Sequence, residues 1–159
     1  MEFAEYVALR RPRLVRSAVL LGCPEADAED LVQTTLAKAL RSWRRVQRAD
    51  SPDAYVQRIL VNSLTDARRR RWRGEVPTEE LPEPALPDAT EGVTEGWAVR
   101  RALASMSAAH REVLVLRFFA DLSERETAAV LGVAPGTVKS RTARALKALA
   151  ADGNIVRSS

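Results

Sequence analysis

One cysteine (Cys23), one histidine (His110) and three lysines are all that the 159 residues contain of these types, and the first two scarcities remove classes of function. A lone cysteine forms no internal disulfide, and with a single histidine beside it no metal-ligand spacing can be assembled. The same two residues offer no nucleophile–base pair of the kind covalent catalysis requires. No catalytic residue, metal ligand or cofactor is therefore expected, and the chain reads as a protein that is not an enzyme. His110, near a predicted helix start in "SAAHREVLVL", is expected as a surface or capping residue, and Cys23, before Pro24, as a small buried hydrophobe. No apolar run approaches the ~18–20 residues of a membrane span, and no N-terminal signal pattern is present. The expectation is a cytoplasmic protein with no membrane partner. Strand signals are also nearly absent.

What the chain has instead is arginine, helical periodicity and an uneven distribution of charge. Of its 25 basic residues 22 are arginine, against 21 acidic residues. Residues 1–73 hold 15 Lys/Arg against 9 Asp/Glu; residues 74–96 hold none against 7; residues 97–159 hold 10 against 5. Two basic modules flank an acidic strip, which fits a polyanion-binding unit on each side. The strip also carries Pro77, Pro82, Pro84 and Pro87 and little to bury, and reads as an extended, self-repelling linker. The expected architecture is all-α: a helical domain over 1–73, a flexible acidic linker over 74–96 and a second helical domain over 97–159.

Within the first domain, "EFAEYVALR" and "RLVRSAVLL" read as helical segments, with Pro12 starting the second or kinking the join. "PEADAEDLVQTTLAKALRSWRRV" opens with Pro24 and acids in its first turn. Its residues Val32, Leu36, Ala39, Leu40 and Trp43 recur at helical spacing as one buried stripe. The next helix begins at "SPDAY", with Ser51 as cap and Pro52 in the first turn. Val56, Leu60, Leu64 and Ala67 form its inner stripe, while Tyr55, Asn62, Asp66, Arg69 and Arg73 gather on a neighbouring face. The run "DARRRRWR" (66–73) thus continues a line of polar groups on an amphipathic helix.

Helical patterning resumes near Trp97. In "LSERETAAVLGVAPGTVKSRTARALKAL" (122–149), Ser123 and Glu126 match a capping box. A short helix 124–131 ends at Gly132, the usual left-handed helix end, and a second helix starts around Pro135. This is a helix-turn-helix pattern. Val138, Thr142, Ala145 and Leu149 face the core; Thr137, Ser140, Arg141 and Arg144 fall opposite, with Lys139 at the flank. Short donors near the helix start and longer basic groups beyond are what a recognition helix presents to phosphates and base edges. A plain helical hairpin with a solvated basic face is the alternative.

"DAEDLVQTTLAKAL", "SPDAYVQRILVNSLTDARRRRWR" and "DLSERETAAVLGVAPGTVKSRTARAL" resemble, in that order, the two domains of extracytoplasmic-function (ECF) bacterial sigma factors, and "TVKSRTARAL" looks closest to an actinobacterial SigE-like subgroup. The resemblance implies a region 2 bundle and a region 4 helix-turn-helix. It implies as partners core RNA polymerase, through its β′ clamp helices and β flap, and promoter DNA, and it leaves room for an anti-sigma factor. Region 2 would read and melt the −10 element and region 4 would read the −35 element. Carried over residue by residue, Asp30, Leu31, Gln33 and Thr34 would dock on polymerase. Asn62, Asp66, Arg68, Arg69 and Arg73 would engage the −10 element beside a base-holding loop at 46–52, with Trp72 available for stacking. Thr137, Lys139, Ser140, Arg141 and Arg144 would engage the −35 element. The acidic linker would thread the polymerase cleft as a mimic of RNA phosphates. A polar helix-surface role for Asn62, a core-covering role for Trp72 and a simple tether for the linker are the corresponding alternatives. Many family members carry a capping residue before the recognition helix where this chain has Ala134. A stand-alone helix-turn-helix regulator is the rival reading; it accounts for 122–149 but not for the basic helix ending at 73.

Overall fold

The computed structural model describes residues 1–72 and 94–151, and its longer helices are laid down by apolar stripes. α1 (Phe3–Leu20) runs straight through Pro12, so the two expected segments are one helix. Pro12 is exposed and removes one backbone donor. Burial of Tyr6, Leu14, Ser17, Ala18 and Leu20 along the same helix offsets that loss. α1 closes at Gly22, whose φ of +101° needs a residue without a Cβ.

α2 (Glu25–Arg41) begins with Glu25 and Asp27 in its first turn and ends with Lys38 and Arg41, charges that suit the helix dipole. It stops two residues before Trp43, where the expected stripe continued; a separate short helix α3 (Trp43–Arg48) follows. The break at Ser42 turns Leu40 outward, 53% exposed, while Ala28, Leu31 and Thr35 join Val32, Leu36 and Ala39 inside. Trp43 packs edge-on against Phe3 and Tyr6, with ring centroids 5.3 Å away in each case. α4 (Pro52–Trp72) starts as the sequence predicts, with the Ala54 N–H donating to Ser51 Oγ at 3.1 Å. It buries Val56, Leu60 and Leu64 against α1, α2 and α3.

α5 (Thr94–Ala104) starts three residues before Trp97, so the last part of the expected linker is helical; residues 74–93 of that linker lie outside the described residues, as does the tail 152–159. α6 (Ala108–Leu114) is capped by Ser107, whose side chain accepts from the His110 N–H at 3.3 Å. It widens into a π-helical turn, Val115–Phe119, closed by Ala120 N–H donating to Val115 O at 2.9 Å. α7 (Glu124–Leu131) carries the complete Ser123/Glu126 capping box and ends on Gly132 at φ +68°. α8 (Pro135–Ala151) buries Val138, Thr142 and Ala145.

The two helical units are not separate. One buried cluster runs through both, from Val32, Val56 and Leu60 to Leu103, Val113, Leu114 and Val138. A second joins Ala54 of α4 to Leu116, Ala120, Leu122 and Val130. Cys23 is buried as expected, and burial pushes its thiol up to about 11.

Candidate nucleic-acid interface

α8 is held by its inner stripe, which fixes the direction of everything on its other side. Lys139, Ser140 and Arg144 are exposed, and Thr137 and Arg141 are half-buried at the edge of that face. Ser140 and Arg144 thus lie opposite the buried stripe, with Thr137 and Arg141 at one edge of that face and Lys139 at the other flank. Ala134 offers no side-chain acceptor, but its carbonyl accepts from the Thr137 and Val138 N–H groups at 3.0 and 3.2 Å. The first turn is thus closed by backbone alone, and Pro135 presets its dihedral.

On α4, Asn62, Asp66 and Arg69 are all exposed and spaced so that they line one side of the helix. Arg68 behaves differently: it donates to the Leu21 carbonyl at 3.0 Å and so ties the end of α4 to the end of α1. Arg71, in the same run, pairs with Asp27 on α2. Arg73 lies outside the described residues, and of Trp72 only its place in the helix is described. Two of the five arginines in the run thus serve the fold.

A second basic group, not singled out from the sequence, stands beside the loop that precedes α4. Arg41, Arg44, Arg45 and Arg48 are exposed around Ser42 and along α3. The signal was present in "RSWRRVQR", but treating that stretch as the tail of one amphipathic helix hid it. Next to it Tyr6 donates to Asp53 Oδ1 at 3.0 Å and Arg10 pairs with the same carboxylate at 3.3 Å. Burial, then the Asp53 charge, push the Tyr6 phenol well above its ordinary value. This network fixes the first turn of α4.

Arg111 of α6 was also unmarked by sequence. Its guanidinium donates to the carbonyls of Leu103, Ala104 and Met106 at 2.8, 3.3 and 2.8 Å, satisfying the open end of α5, and to Leu21 O at 3.4 Å. Arg68 and Arg111 thereby meet at one carbonyl from two different units. A Cβ on Gly22 would lie 2.8 Å from both guanidinium groups, which would have to shift to make room for it. Burial, then the neighbouring Arg68 charge, lower the Arg111 pKa. The adjacent Glu112 is raised by burial against the pull of Arg68, Arg141 and Arg111.

Of the four residues expected to dock on polymerase, Asp30, Gln33 and Thr34 are exposed on α2, whereas Leu31 is 8% exposed and belongs mainly to the core. Asp30, Leu31 and Thr34 line one side of an open groove between α2 and α4, about 520 Å³, floored by Cys23, Leu64 and Ala67. Among the described residues no group of three or more His, Cys, Asp or Glu could hold a metal, and no helix is long and apolar enough to cross a membrane.

Two helical units with polar and basic faces, the second a helix-turn-helix, define a protein that works on a nucleic acid. Residues 7–74 match the family described as "Sigma-70 region 2" and residues 97–149 that described as "Sigma-70, region 4". The chain belongs to the ECF group of the sigma-70 family, the promoter-specificity subunits of bacterial RNA polymerase. Its relatives include the RNA polymerase sigma-E factor of Streptomyces coelicolor, 42% identical over 94% of this chain and 84% of that one. The ECF RNA polymerase sigma factor SigL of Mycobacterium tuberculosis is 35% identical over 86% of this chain and 80% of its own. Among solved structures, the sigma factor RpoE in complex with the anti-sigma factor NepR from Bartonella quintana superposes with TM-score 0.81 at 30% identity, covering 93% of this chain and 94% of that one. CnrH in complex with the cytosolic domain of CnrY gives 0.64 at 31% identity, over 94% and 85%. Sigma factors are initiation factors and not enzymes. The region 2 match over 7–74 also displaces the stand-alone regulator, which left that half unexplained.

Proposed function

We propose that the two units divide promoter recognition, the first reading and opening the −10 element and the second reading the −35 element, in a cytoplasmic protein with no chemistry of its own. The observation that carries this is the pair of exposed polar faces on α4 and α8, each backed by a buried stripe. On α4, Asn62 supplies an amide able to pair with the edge of an unstacked base, with Arg69 for adjacent phosphates and Asp66 beside them, and Arg73, next in sequence after the helix, is a second candidate for phosphates. Arg68 adds to that track only by leaving the Leu21 carbonyl. Arg41, Arg44, Arg45 and Arg48 extend the basic surface along α3 to the connection 49–51, the part of the expected loop 46–52 that is not helical. On α8, Thr137 and Ser140 lie toward the helix start for phosphate oxygens, and Lys139, Arg141 and Arg144 reach for base edges and phosphates. The exposed α2 residues Asp30, Gln33 and Thr34, with the rim of Leu31, form the surface for the β′ clamp helices, and the second unit meets the β flap. An anti-sigma factor is a further candidate partner, because the similar sigma factor RpoE was captured with one.

The test is run-off transcription with sigma-free core polymerase and a pool of genomic promoters. Asn62→Ala should lower the yield of opened promoter at least about tenfold, equivalent to ~1.4 kcal/mol, while its affinity for core stays at the wild-type value. Equal loss of core affinity would remove Asn62 from the DNA face.

A further inference from the structure

We propose that Tyr6, a buried residue of α1, is the positioning residue of the base-holding connection between α3 and α4. The inference rests on the −10 reading proposed above and deepens it. Residues 49–51 are all that separates Arg48, the end of α3, from Pro52, the start of α4. So short a connection has little freedom of its own. Where α3 ends and where α4 begins decide how its backbone groups face a base, so whatever fixes those two elements relative to each other fixes the connection.

One side chain touches both. The Tyr6 ring packs edge-on against Trp43, the first residue of α3, with centroids 5.3 Å apart and planes at 60°. Its hydroxyl donates to Oδ1 of Asp53, in the first turn of α4, at 3.0 Å. Arg10, one turn along α1, adds a second tie to the same oxygen at 3.3 Å. The start of the chain holds α3 as well: Phe3 closes on Trp43 at 5.3 Å, and the Gln47 amide donates to Met1 O at 2.8 Å. Trp43 Nε1 has no hydrogen-bond partner among the described residues, so ring contacts rather than a bond from the indole seat the start of α3.

Beneath these ties lies a cavity of about 390 Å³, lined by Tyr6, Arg10, Trp43, Gln47, Asp50 and Asp53 among others. Space under the connection means that close packing does not hold it in place; the ties from α1 do. Tyr6 is 4% exposed and acts through Asp53, not on the strand. A connection ordered in advance spares a bound base the entropy of ordering it.

The experiment uses holoenzyme assembled from the full chain and core polymerase. It is titrated with a short fluorescent single strand carrying the non-template −10 segment of a promoter recovered by run-off transcription, intact or abasic at each position in turn. Wild type should bind at least about tenfold more weakly when the held base is the missing one. Tyr6→Phe keeps the ring and removes only the hydroxyl. It should bind the intact strand about fivefold more weakly, because the ordered connection becomes a minor fraction, and bind that abasic strand as wild type does. Discrimination thus falls from about tenfold to about twofold at unchanged core affinity. Asp53→Ala alone should show the same loss of discrimination, and adding Tyr6→Phe to it should change nothing further. A purely structural role would weaken all strands alike and keep the discrimination; that result, additive effects in the double variant, or a fall in core affinity overturns the proposal. A wild type indifferent to every abasic position overturns the base-holding reading itself, and the role of Tyr6 with it.

Discussion

Glu126 shows how much one side chain can connect. It closes the capping box of α7, accepting from the Ser123 N–H at 3.0 Å while its own N–H donates to Ser123 Oγ at 3.0 Å. The Ser51 hydroxyl and then the Ser123 backbone hold its carboxyl below the usual glutamate range. A carboxylate with a depressed folded pKa stabilises the fold fully above its unfolded value of ~4.3, and the contribution is lost as pH falls through the lower folded value. Glu126→Gln should therefore lower the melting temperature at pH 7 relative to wild type, and the gap should close below about pH 4; a gap that is constant with pH would show that the charge contributes nothing. The local half of this arrangement was legible as Ser-x-x-Glu. The half that reaches Ser51 was not, because nothing in a pattern of spacings says which two caps will meet across 75 residues.

Elements were legible where periodicity and end signals agreed. α4, α7 and α8 start at the residues that their caps and prolines indicate, and α7 stops at its glycine. α1 and α2 departed from expectation for opposite reasons. Pro12 suggested a break that packing overrides, whereas nothing marked the break at Ser42, since Leu40 and Trp43 continue the apolar spacing through it. The candidate site followed the same rule. The faces of α4 and α8 could be read because each is the complement of a buried stripe, while Arg41, Arg44, Arg45 and Arg48 became visible as a surface only once α3 was separate. Gly132 offers a direct check on the helix-turn-helix. Its φ is +68° and a Cβ there meets nothing within 4 Å, so the cost of a side chain is conformational alone. Gly132→Ala should destabilise by about 1 kcal/mol, a fall of ~2–4 °C in melting temperature. A neutral result in a thermal melt would mean that the turn relaxes to another conformation.

For the molecule as a whole, composition anticipated two basic units and gave no sign that they would share a core. Ala54 looks like an ordinary helix position, and only the seam where residues 115–131 of the second unit pack on α4 makes it interior, with Val61 half-buried beside it. The seam is chiefly apolar, and its ion pairs, such as Arg13 with Asp121, are exposed ones that contribute little and are screened by salt. The scattering radius of the free protein should accordingly stay constant from about 0.05 to 0.5 M salt, although the Debye length shrinks severalfold over that range. Expansion at high salt would mean that the charged rim, and not Ala54 and its neighbours, holds the units together. The π-helical turn at 115–119 explains how one helix can serve both purposes. Its extra residue lets two successive side chains point inward, Val115 to the main core and Leu116 to the seam, each fully buried. Removing a single residue from that turn would restore an ordinary α-helix and rotate the downstream helices by about 100°. Folding of the second unit and its grip on the first are thus set by a difference of one in the count of residues, so a length change in this turn would re-aim every contact downstream of it, where a change of side chain would alter one.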